Sequence, residues 1–510
     1  MGTQTHGRLL LVLPFENHTS QSNLDWIGEG AADILNRRLD SAGFLTISRG
    51  DRLYALDRLG LPLNFQPSHA TTIRIAQTLD ADSVILGFYT LTGDHFTASA
   101  QVLDVKALKL GAPVQQEGDL KNLLDVLNSL AWRVARQLDP SYSVAEQTFL
   151  AADASLHVDA FENYVRGSIA ESPSERIVHL KEALRLDPRF TPAWFALGMA
   201  YFANQDYDSA AVTLGRLSKD DPKALAADFY RGLSFFYTAN YMKAEDAFAF
   251  VSIRLPLPEV VNNQAVAASR RGRDSAPLFQ QAVTADPKDP DYRFNLAISL
   301  RRRDDIPGAI REIDQELKLR PQDTEAQTFA NVLKNPGSAK VNPDRGKAIQ
   351  DDTLPLERIK RSYNETGFRQ VAFEMEQMES LRLGSLPAAG RASALVKQGD
   401  QFMNGGLTLE AERQFQAALQ VDPSSAAAHA GLALVREHSG DVNAARQEAE
   451  KSLALSPNVS AHLVLARLDL ATNQLGTAAT EVSQALKLEP ANANARGMKQ
   501  ALESRGQQVP

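Results

Sequence analysis

Several residue types that carry out chemistry are missing from this chain or fall in no known motif. The 510 residues include no cysteine, which excludes disulfides, thiolate metal sites, cysteine nucleophiles and a lipid-acylated cysteine. The nine histidines are scattered, and neither a His-Glu-x-x-His nor a Gly-x-Ser-x-Gly sequence occurs. We therefore predict a protein that is not an enzyme and has no catalytic residues, metal or cofactor. A carboxylate pair formed by folding stays an open alternative.

Two glycine-containing segments could be mistaken for nucleotide-binding loops. Gly28-Glu29-Gly30 lacks the third glycine of a dinucleotide fingerprint because Asp33 stands there, and about a dozen residues separate it from Phe15 at the end of a predicted strand. Gly346-Lys347 lacks the glycine of a phosphate loop five residues earlier, where Val341 stands. We interpret the first two glycines instead as positions at which the start of a helix packs closely.

The charge balance argues against a nucleic-acid partner. Asp and Glu total 62 against 54 Lys and Arg, which gives a formal net charge of −8 at pH 7. A nucleic-acid surface would need a basic excess. The content of 44% hydrophobic and 23% charged residues is ordinary for a soluble globular protein.

No apolar stretch approaches the roughly 20 residues that span a bilayer. The first apolar run, from Leu9 to Phe15, follows a single basic residue and has no small-x-small cleavage pattern. It predicts a strand and not a signal peptide. We expect a soluble protein without an integral membrane segment. It is cytoplasmic as written, or periplasmic if an export signal was removed or missed upstream of Met1.

Prolines recur along the chain at a nearly constant interval. The first series lies 34, 34, 31 and 34 residues apart, and the second lies 34 and 33 residues apart. The two series are Pro188, Pro222, Pro256, Pro287 and Pro321, then Pro423, Pro457 and Pro490. Because proline cannot continue a helix, this spacing predicts a repeated helical unit that closes at each proline.

The side chains between the prolines repeat in the same register. The best copy has Trp194, Leu197, Gly198, Tyr201, Ala210, Leu214 and Pro222 at repeat positions 4, 7, 8, 11, 20, 24 and 32. The next copy has Gly232, Phe235, Ala244, Phe248 and Pro256. Later copies have Leu296, Leu300, Ala309, Ile313 and Pro321, then Gly399, Phe402, Ala411, Phe415, Ala418 and Pro423. Over roughly 330 residues this pattern resembles the tetratricopeptide repeat (TPR) family.

The resemblance implies a solenoid of paired antiparallel helices. Small residues at positions 8 and 20 let the two helices approach, and large residues at positions 4, 7, 11 and 24 fill the space around that contact. One hairpin cannot bury its apolar face alone, so neighbours stack into a right-handed superhelix with a concave inner face. A helix over residues 493–504 is expected to cap the last repeat.

The array weakens in its middle. A helix is expected from about Thr324 to Leu333, and residues 336–352 have the composition of a linker. Beyond it, a worn repeat is expected, with its pattern positions at Leu356, Ile359, Tyr363, Gly367 and Ala372. An apolar stripe follows at Phe368, Val371, Met375 and Met378. We favour the buried face of the worn repeat over a partner-binding helix for this stripe.

Residues 8 to about 140 lack the repeat and predict a different fold. Strands are expected at 9–15 and 44–48, and helices at 24–39, at 69–79 with Ser68 as a cap, and near 120–138. Residues 83–91 and 95–105 are expected to form a hairpin about Gly93-Asp94. The order of these elements predicts a small mixed α/β sheet with helices packed on it.

This region also resembles a known family. The segments are residues 11–17, Leu-Val-Leu-Pro-Phe-Glu-Asn; residues 24–30, Leu-Asp-Trp-Ile-Gly-Glu-Gly; and residues 81–87, Ala-Asp-Ser-Val-Ile-Leu-Gly. They are similar to the TolB amino-terminal-like domains and to related flagellar and curli envelope-protein domains. The resemblance implies a docking or assembly module without chemistry of its own, often joined to TPR arrays and often acting near the bacterial envelope.

The repeat register predicts which residues face the concave groove. They are Phe195, Met199, Phe202, Phe229, Leu233, Phe236, Tyr237, Phe294 and Arg301. An open groove with this many aromatic residues would be an exposed apolar patch of the kind that marks an interaction site. We expect it to bind an apolar peptide, helix or strand of a partner protein. The alternative, that the groove is covered by the chain's own amino-terminal domain or worn repeat, is weighed equally.

The sequence therefore predicts an interaction scaffold. The expected parts are an α/β domain at 1–142, a first TPR block at 143–335, a linker at 336–352, and a second block with its cap helix at 353–510. The alternative function is a regulatory subunit or weak enzyme with a site between domains. Co-purification of a discrete partner would favour the scaffold, and turnover of a small molecule would favour the alternative.

Overall fold

The structure is a computed structural model that describes residues 9–62, 68–140, 142–151, 156–219, 221–335, 354–363, 382–384, 386–404 and 408–510. Its chain forms two compact units. One comprises Met1–Val165 and Phe373–Pro510, and the other comprises Arg166–Ala372.

The first unit begins with a seven-stranded mixed sheet and its helices. The strands are β1 (Leu9–Val12), β2 (Glu16–Asn17), β3 (Leu45–Thr46), β4 (Ser83–Thr92), β5 (His95–Asp104), β6 (Lys109–Leu110) and β7 (Val114–Asp119). The helices are α1 (Trp26–Ser41), α2 (Arg49–Arg58), α3 (His69–Thr78) and α4 (Leu123–Leu138). The strand order is β3-β1-β4-β5-β6, with β2 paired to β4 and β7 paired to β5. β1 runs parallel to both β3 and β4.

The predicted mixed sheet is confirmed, including its central hairpin. β4 and β5 pair antiparallel from Ser83 opposite Asp104 to Thr92 opposite His95, and Gly93 makes the turn with a φ of 61°. The Ser68 hydroxyl accepts the Thr71 amide at 3.3 Å and caps α3 as expected. α2, β2, β6 and β7 were not expected from the sequence.

The Gly-Glu-Gly segment lies at a close packing contact, as interpreted. The Phe15 amide donates to the Gly28 carbonyl at 3.0 Å, and a Cβ on Gly28 would collide with the Phe15 carbonyl oxygen. A Cβ on Gly30 would stand 3.0 Å from the ring of Phe161. Glycine is needed here because chain segments meet with no room for a side chain.

Among the described residues, twelve helices follow the sheet region and lead from the first unit into the second. They are α5 (Glu146–Ala151), α6 (Val158–Ile169), α7 (Pro173–Leu186), α8 (Thr191–Ala203), α9 (Tyr207–Leu214), α10 (Ala224–Tyr237), α11 (Tyr241–Arg254), α12 (Pro258–Arg270), α13 (Ala276–Ala285), α14 (Pro290–Arg302), α15 (Ile306–Leu319) and α16 (Thr324–Lys334). α5 and most of α6 belong to the first unit.

The second helical array belongs to the first unit. Its helices are α17 (Ala388–Asn404), α18 (Thr408–Val421), α19 (Ala426–His438), α20 (Val442–Leu455), α21 (Val459–Ala471), α22 (Leu475–Leu488) and α23 (Ala493–Ser504). The expected cap helix is α23, whose Leu502 is fully buried against the preceding hairpin. Both arrays follow the mixed sheet, so the α/β-then-solenoid order of the prediction is confirmed.

Three hairpins pack a glycine of the first helix against a large residue of the second helix. A Cβ added to Gly232 would come 2.8 Å from the ring of Phe248, sixteen residues later. The same relation holds between Gly198 and Leu214 and between Gly399 and Phe415. The sixteen-residue spacing therefore packs the large residue at position 24 directly on the position-8 glycine.

The turns inside the hairpins share a backbone conformation. Gln205, Ala239 and Asp304 have φ values of 60°, 57° and 61°, in the left-handed region. The next residue in each turn is Asp or Asn, and its side chain accepts an amide in the first turn of the following helix. This turn reverses the chain and caps the second helix in two residues.

Within the first unit, an ion pair of the second array forms hydrogen bonds to residues 142–151, which follow the α/β region. The Glu412 carboxylate is fully buried and pairs with Arg436 at 2.6 Å. It also accepts the Ala145 amide at 3.2 Å, and Arg436 donates to the Thr148 hydroxyl at 2.5 Å. Residues 142–151 thus connect the sheet domain to α18 and α19.

Candidate peptide-binding groove

Residues 354–363, Leu-Pro-Leu-Glu-Arg-Ile-Lys-Arg-Ser-Tyr, form an extended segment that lies against α10, α12, α14 and α16. We call these residues the groove segment. Helix at Leu356, Ile359 and Tyr363, expected from a worn repeat, is wrong. Pro355 disfavours helix in the residue before it, and the backbone groups of Arg358 and Lys360 bond to side chains of other helices. Gly367, Ala372 and the apolar stripe lie outside the described residues, as does the linker at 336–352.

Three fully buried asparagines bind the backbone of the groove segment. Asn295 accepts the Arg358 amide and donates to the Arg358 carbonyl, both at 2.7 Å. Asn263 accepts the Lys360 amide and donates to the Lys360 carbonyl, both at 2.8 Å. Asn262 donates to the Arg358 carbonyl at 3.0 Å and accepts from Asn295 at 2.8 Å. We call these three residues the asparagine cluster.

The asparagine cluster recognises an extended chain by its backbone. An asparagine amide offers one acceptor and two donors, so it can pair with both polar groups of one residue. The residues bound are 358 and 360, which face the same side because side chains and backbone groups alternate in extended chain. All three asparagines have 0% exposure, and each would cost free energy if left without partners.

Five carboxylates surround the two basic side chains of the groove segment. They are Asp289, Asp291, Glu316, Asp323 and Glu325, and we call them the acidic cluster. The Arg358 guanidinium lies 2.7 Å from Asp323, 2.9 Å from Glu325 and 3.2 Å from Asp291. Its Cζ stands 3.7 Å from the ring centroid of Phe294. The planar cation therefore stacks on an aromatic face while its edges meet carboxylates.

Lys360 occupies the neighbouring part of the acidic cluster. Its Nζ lies 2.7 Å from Asp289 and 2.7 Å from Asp291, and 5.0 Å from the ring centroid of Tyr292. Asp289 caps α14, and Asp323 caps α16. Four of the five carboxylates thus come from the starts of α14 and α16, where negative charge is favourable, and Glu316 comes from the last turn of α15.

The ionisation of the acidic cluster depends on its cations. Burial alone would raise the pKa of Asp291, but hydrogen bonds and charge from Lys360 and Arg320 lower it. Burial would likewise raise the pKa of Asp323, but Arg358 and the Ala326 amide lower it below its usual range. Glu316 behaves differently, because burial and the nearby charge of Asp323 raise its pKa to about 7.

The remaining side chains of the groove segment are held less uniformly. Glu357 is buried, accepts the Ser269 hydroxyl, and pairs with Arg302 and with Arg270, the latter at 3.3 Å. Ile359 packs on the apolar clusters of α10 to α14. By contrast, Leu356 is 63% exposed.

The segment ends on an aromatic contact with α10. The Tyr363 ring lies 4.9 Å from that of Phe229 and 6.2 Å from that of Tyr230, centroid to centroid. The Arg361 guanidinium interacts electrostatically with the Tyr237 hydroxyl. Burial raises the pKa of this hydroxyl, and Arg361 opposes the shift.

The predicted groove residues fall into two classes of burial. Phe229, Leu233 and Phe294 are buried. Those only partly buried are Phe195, Met199, Phe202, Phe236, Tyr237 and Arg301. Phe229, Phe294 and Tyr237 contact the groove segment. Phe202 instead packs on Tyr207, Tyr230 and Tyr237.

The predicted repeat-packing residues also differ in burial. Buried ones are Leu197, Gly198, Ala210, Gly232, Ala244, Phe248, Gly399, Ala411 and Phe415. Trp194 and Tyr201 are partly buried, and the repeat-ending prolines Pro222, Pro256 and Pro423 are exposed. Neither the asparagine cluster nor the acidic cluster was expected from the sequence. The available signal was a pair of asparagines, Asn262 and Asn295, 33 residues apart in otherwise apolar helix faces.

The described residues contain no group of three or more His, Asp or Glu side chains placed to hold a metal ion. None of their helices is long and apolar enough to cross a membrane.

The comparisons with known proteins bear on the helical arrays. Tetratricopeptide repeat family models match residues 174–231, 264–324 and 396–460. These helical hairpins are tetratricopeptide repeats. The TPR matches fall in both arrays. The match at 264–324 includes Asn295 and four residues of the acidic cluster, whereas Asn262 and Asn263 lie just before it and Glu325 just after it.

Solved structures similar to this chain include two described as TPR proteins and the C-terminal domain of LpoB. A TPR protein from Parabacteroides merdae is 12% identical, with a TM-score of 0.27, and the match covers 61% of this chain and 97% of that one. YrrB, described as a TPR protein with an unusual peptide-binding site, is 13% identical with a TM-score of 0.30, covering 39% and 98%. The LpoB C-terminal domain from Salmonella enterica is 20% identical with a TM-score of 0.20, covering 22% and 84%. No curated protein matches the sequence.

Proposed function

We propose that this chain is a non-catalytic scaffold whose first TPR block binds an extended segment of a partner protein. TPR proteins bind protein or peptide partners, and the hairpins here are of that type. The observation that carries the proposal is the asparagine cluster. It is fully buried and engages the backbone of an extended segment at alternate residues.

The geometry of this site favours an extended ligand over a helical one. The backbone amides and carbonyls of a helix are bonded within the helix, so they are not free to pair with asparagine side chains. The backbone groups of an extended peptide are free, and main-chain hydrogen bonds then supply affinity while side-chain pockets supply specificity. The partner segment is accordingly an unstructured or strand-forming stretch.

The α/β domain has a separate part in the proposal. Its sheet order and its Leu-Asp-Trp-Ile-Gly-Glu-Gly segment fit the resemblance to TolB amino-terminal-like domains. We assign it the role of a docking module in an assembly, at the bacterial envelope. The Glu412–Arg436 pair supports this by coupling residues 142–151 to the second array.

The proposal is tested with a chain whose groove is empty. In this variant residues 354–363 are replaced by a Gly/Ser sequence of equal length, and an array of decapeptides with randomised positions is applied. We expect binding of a subset of peptides, lost when Asn263 and Asn295 are both replaced by alanine. Asn204→Ala, at an exposed helix end, is the matched control and should leave binding unchanged. Equal binding by the Asn263/Asn295 variant would contradict the proposal.

A further inference from the structure

The groove segment carries charge opposite to that of its site. Its ten residues include three basic side chains, Arg358, Lys360 and Arg361, and one acidic side chain, Glu357, for a net charge of +2. Arg358 and Lys360 both lie within the acidic cluster. The backbone bonds, the charges and the aromatic contact all fit a bound peptide that belongs to the same chain.

We propose that residues 354–363 act as a built-in competing ligand, and that the partner is a basic extended peptide that displaces them. This inference rests on the proposed function. The partner's segment has two basic residues two positions apart that match Arg358 and Lys360. It also has an aromatic residue three positions after the second, matching Tyr363.

The charge of the site sets the class of partner. Among the described residues, the cation that pairs with the acidic cluster besides Arg358 and Lys360 is Arg320. When the segment leaves, Arg320 faces Asp289, Asp291, Asp323 and Glu325, while Glu316 is partly protonated near pH 7. Like charges at such short range are costly, so only a cationic ligand can replace the segment. A neutral or acidic peptide would leave that repulsion in place.

The contacts also rank the positions of the partner's sequence. Positions matching 358 and 360 are the most restricted, because backbone and side chain are both bound there. The position matching 357 favours an acid, since Ser269, Arg270 and Arg302 surround Glu357. Positions matching Leu356 and Ser362 are exposed and accept any residue.

Occupation by the chain's own segment has a measurable consequence. A ligand added in trans meets a free groove only in the fraction of molecules whose segment has left. Its apparent Kd is therefore the intrinsic Kd divided by that fraction, and the affinity is lower. Weakening the segment's own attachment, without altering the groove, should tighten the binding of an added peptide.

The test uses the full chain and a fluorescein-labelled decapeptide with the sequence of residues 354–363. Anisotropy is measured for the unchanged chain and for a released variant, Arg358→Glu with Lys360→Glu, which leaves the groove intact. We expect the released variant to bind the peptide at least tenfold more tightly. The Gly/Ser replacement of residues 354–363 is a second form of release, and circular dichroism checks the helix content of both. A control, Lys288→Glu with Lys318→Glu, makes the same charge change at exposed positions of the same repeats and should bind like the unchanged chain.

The outcomes separate this inference from the proposed function. Equal affinity for the released and unchanged chains, still lost on Asn263→Ala with Asn295→Ala, overturns the competing-ligand inference and leaves the groove a peptide site. A second decapeptide carries glutamate at the positions that match Arg358 and Lys360. If it binds as tightly as the first decapeptide, the basic-partner inference is overturned. No binding to either released form, with helix content unchanged, overturns the proposed function itself.

Discussion

Replacing Asn263 by alanine removes both hydrogen bonds to the backbone of Lys360 in the groove. The two bonds are 2.8 Å long and lie in a fully buried setting. A hydrogen bond contributes about 0.5–1.5 kcal/mol net, so the loss is about 1–3 kcal/mol. At about 1.4 kcal/mol per factor of ten, the segment should detach about 5 to 150 times more often.

Amide hydrogen exchange at Arg358 reports this detachment. The Arg358 amide donates to Asn295 and not to Asn263, so its exchange quickens only if the segment leaves as a unit. In the regime where exchange follows the opening equilibrium, the rate should rise by the same 5- to 150-fold. The exposed Asn204→Ala variant should show no change. An Arg358 amide that exchanges at the unprotected rate in the unchanged chain, or that ignores Asn263→Ala, would refute the reasoning.

Three further changes test the helical arrays by urea unfolding. Glu316 has a pKa raised to about 7 in the fold against about 4.5 when unfolded, so its stabilising contribution is complete below pH 4.5 and is lost as pH rises through 7. Between pH 6 and pH 8 the free energy of unfolding of the unchanged chain should therefore fall by about 1.4 kcal/mol relative to that of Glu316→Gln. Parallel curves of unfolding free energy against pH for the two chains would contradict this. Ala239→Gly should stabilise the first array by about 1 kcal/mol, because Ala239 has a φ of 57°. The control Ala249→Gly, inside α11, should destabilise it by about 1 kcal/mol. Changes in unfolding free energy of the same sign for the two variants would refute the turn argument. Glu412→Ala should destabilise the unit containing the sheet by about 3–5 kcal/mol, since it leaves Arg436 buried without its carboxylate, and a loss under 1 kcal/mol would be inconsistent with a structural ion pair.

The repeat architecture was predictable because hairpin packing recurs in the sequence. Gly232 and Phe248 appear at fixed positions of the 34-residue register, and the structure places one on the other. In the amino-terminal region the alternating side chains of β5 identified the central hairpin. β7 was missed because Val-Gln-Gln-Glu-Gly-Asp has no apolar alternation, and it pairs with β5 through the backbone ladder.

The content of the groove could not be predicted from that register. Leu356, Ile359 and Tyr363 are spaced by three and four residues, as in a helix face, yet they lie in extended chain. What decides their conformation is a set of distant partners, the asparagine cluster, which lies from 63 to 97 residues away in sequence. The repeat pattern describes how helices pack on each other and carries no information about what lies across them. Pro355 was the local signal against a helix.

Photo-crosslinking tests the occupied groove most directly. Tyr363 is replaced by p-benzoylphenylalanine, a photoreactive residue that keeps an aromatic ring at this position. Irradiation of the monomeric chain should then link position 363 to α10, at or beside Phe229 and Tyr230. Asn263→Ala with Asn295→Ala should reduce the yield of that crosslink. Crosslinks that map outside residues 224–237, or a yield that the asparagine changes leave unaltered, would contradict the account.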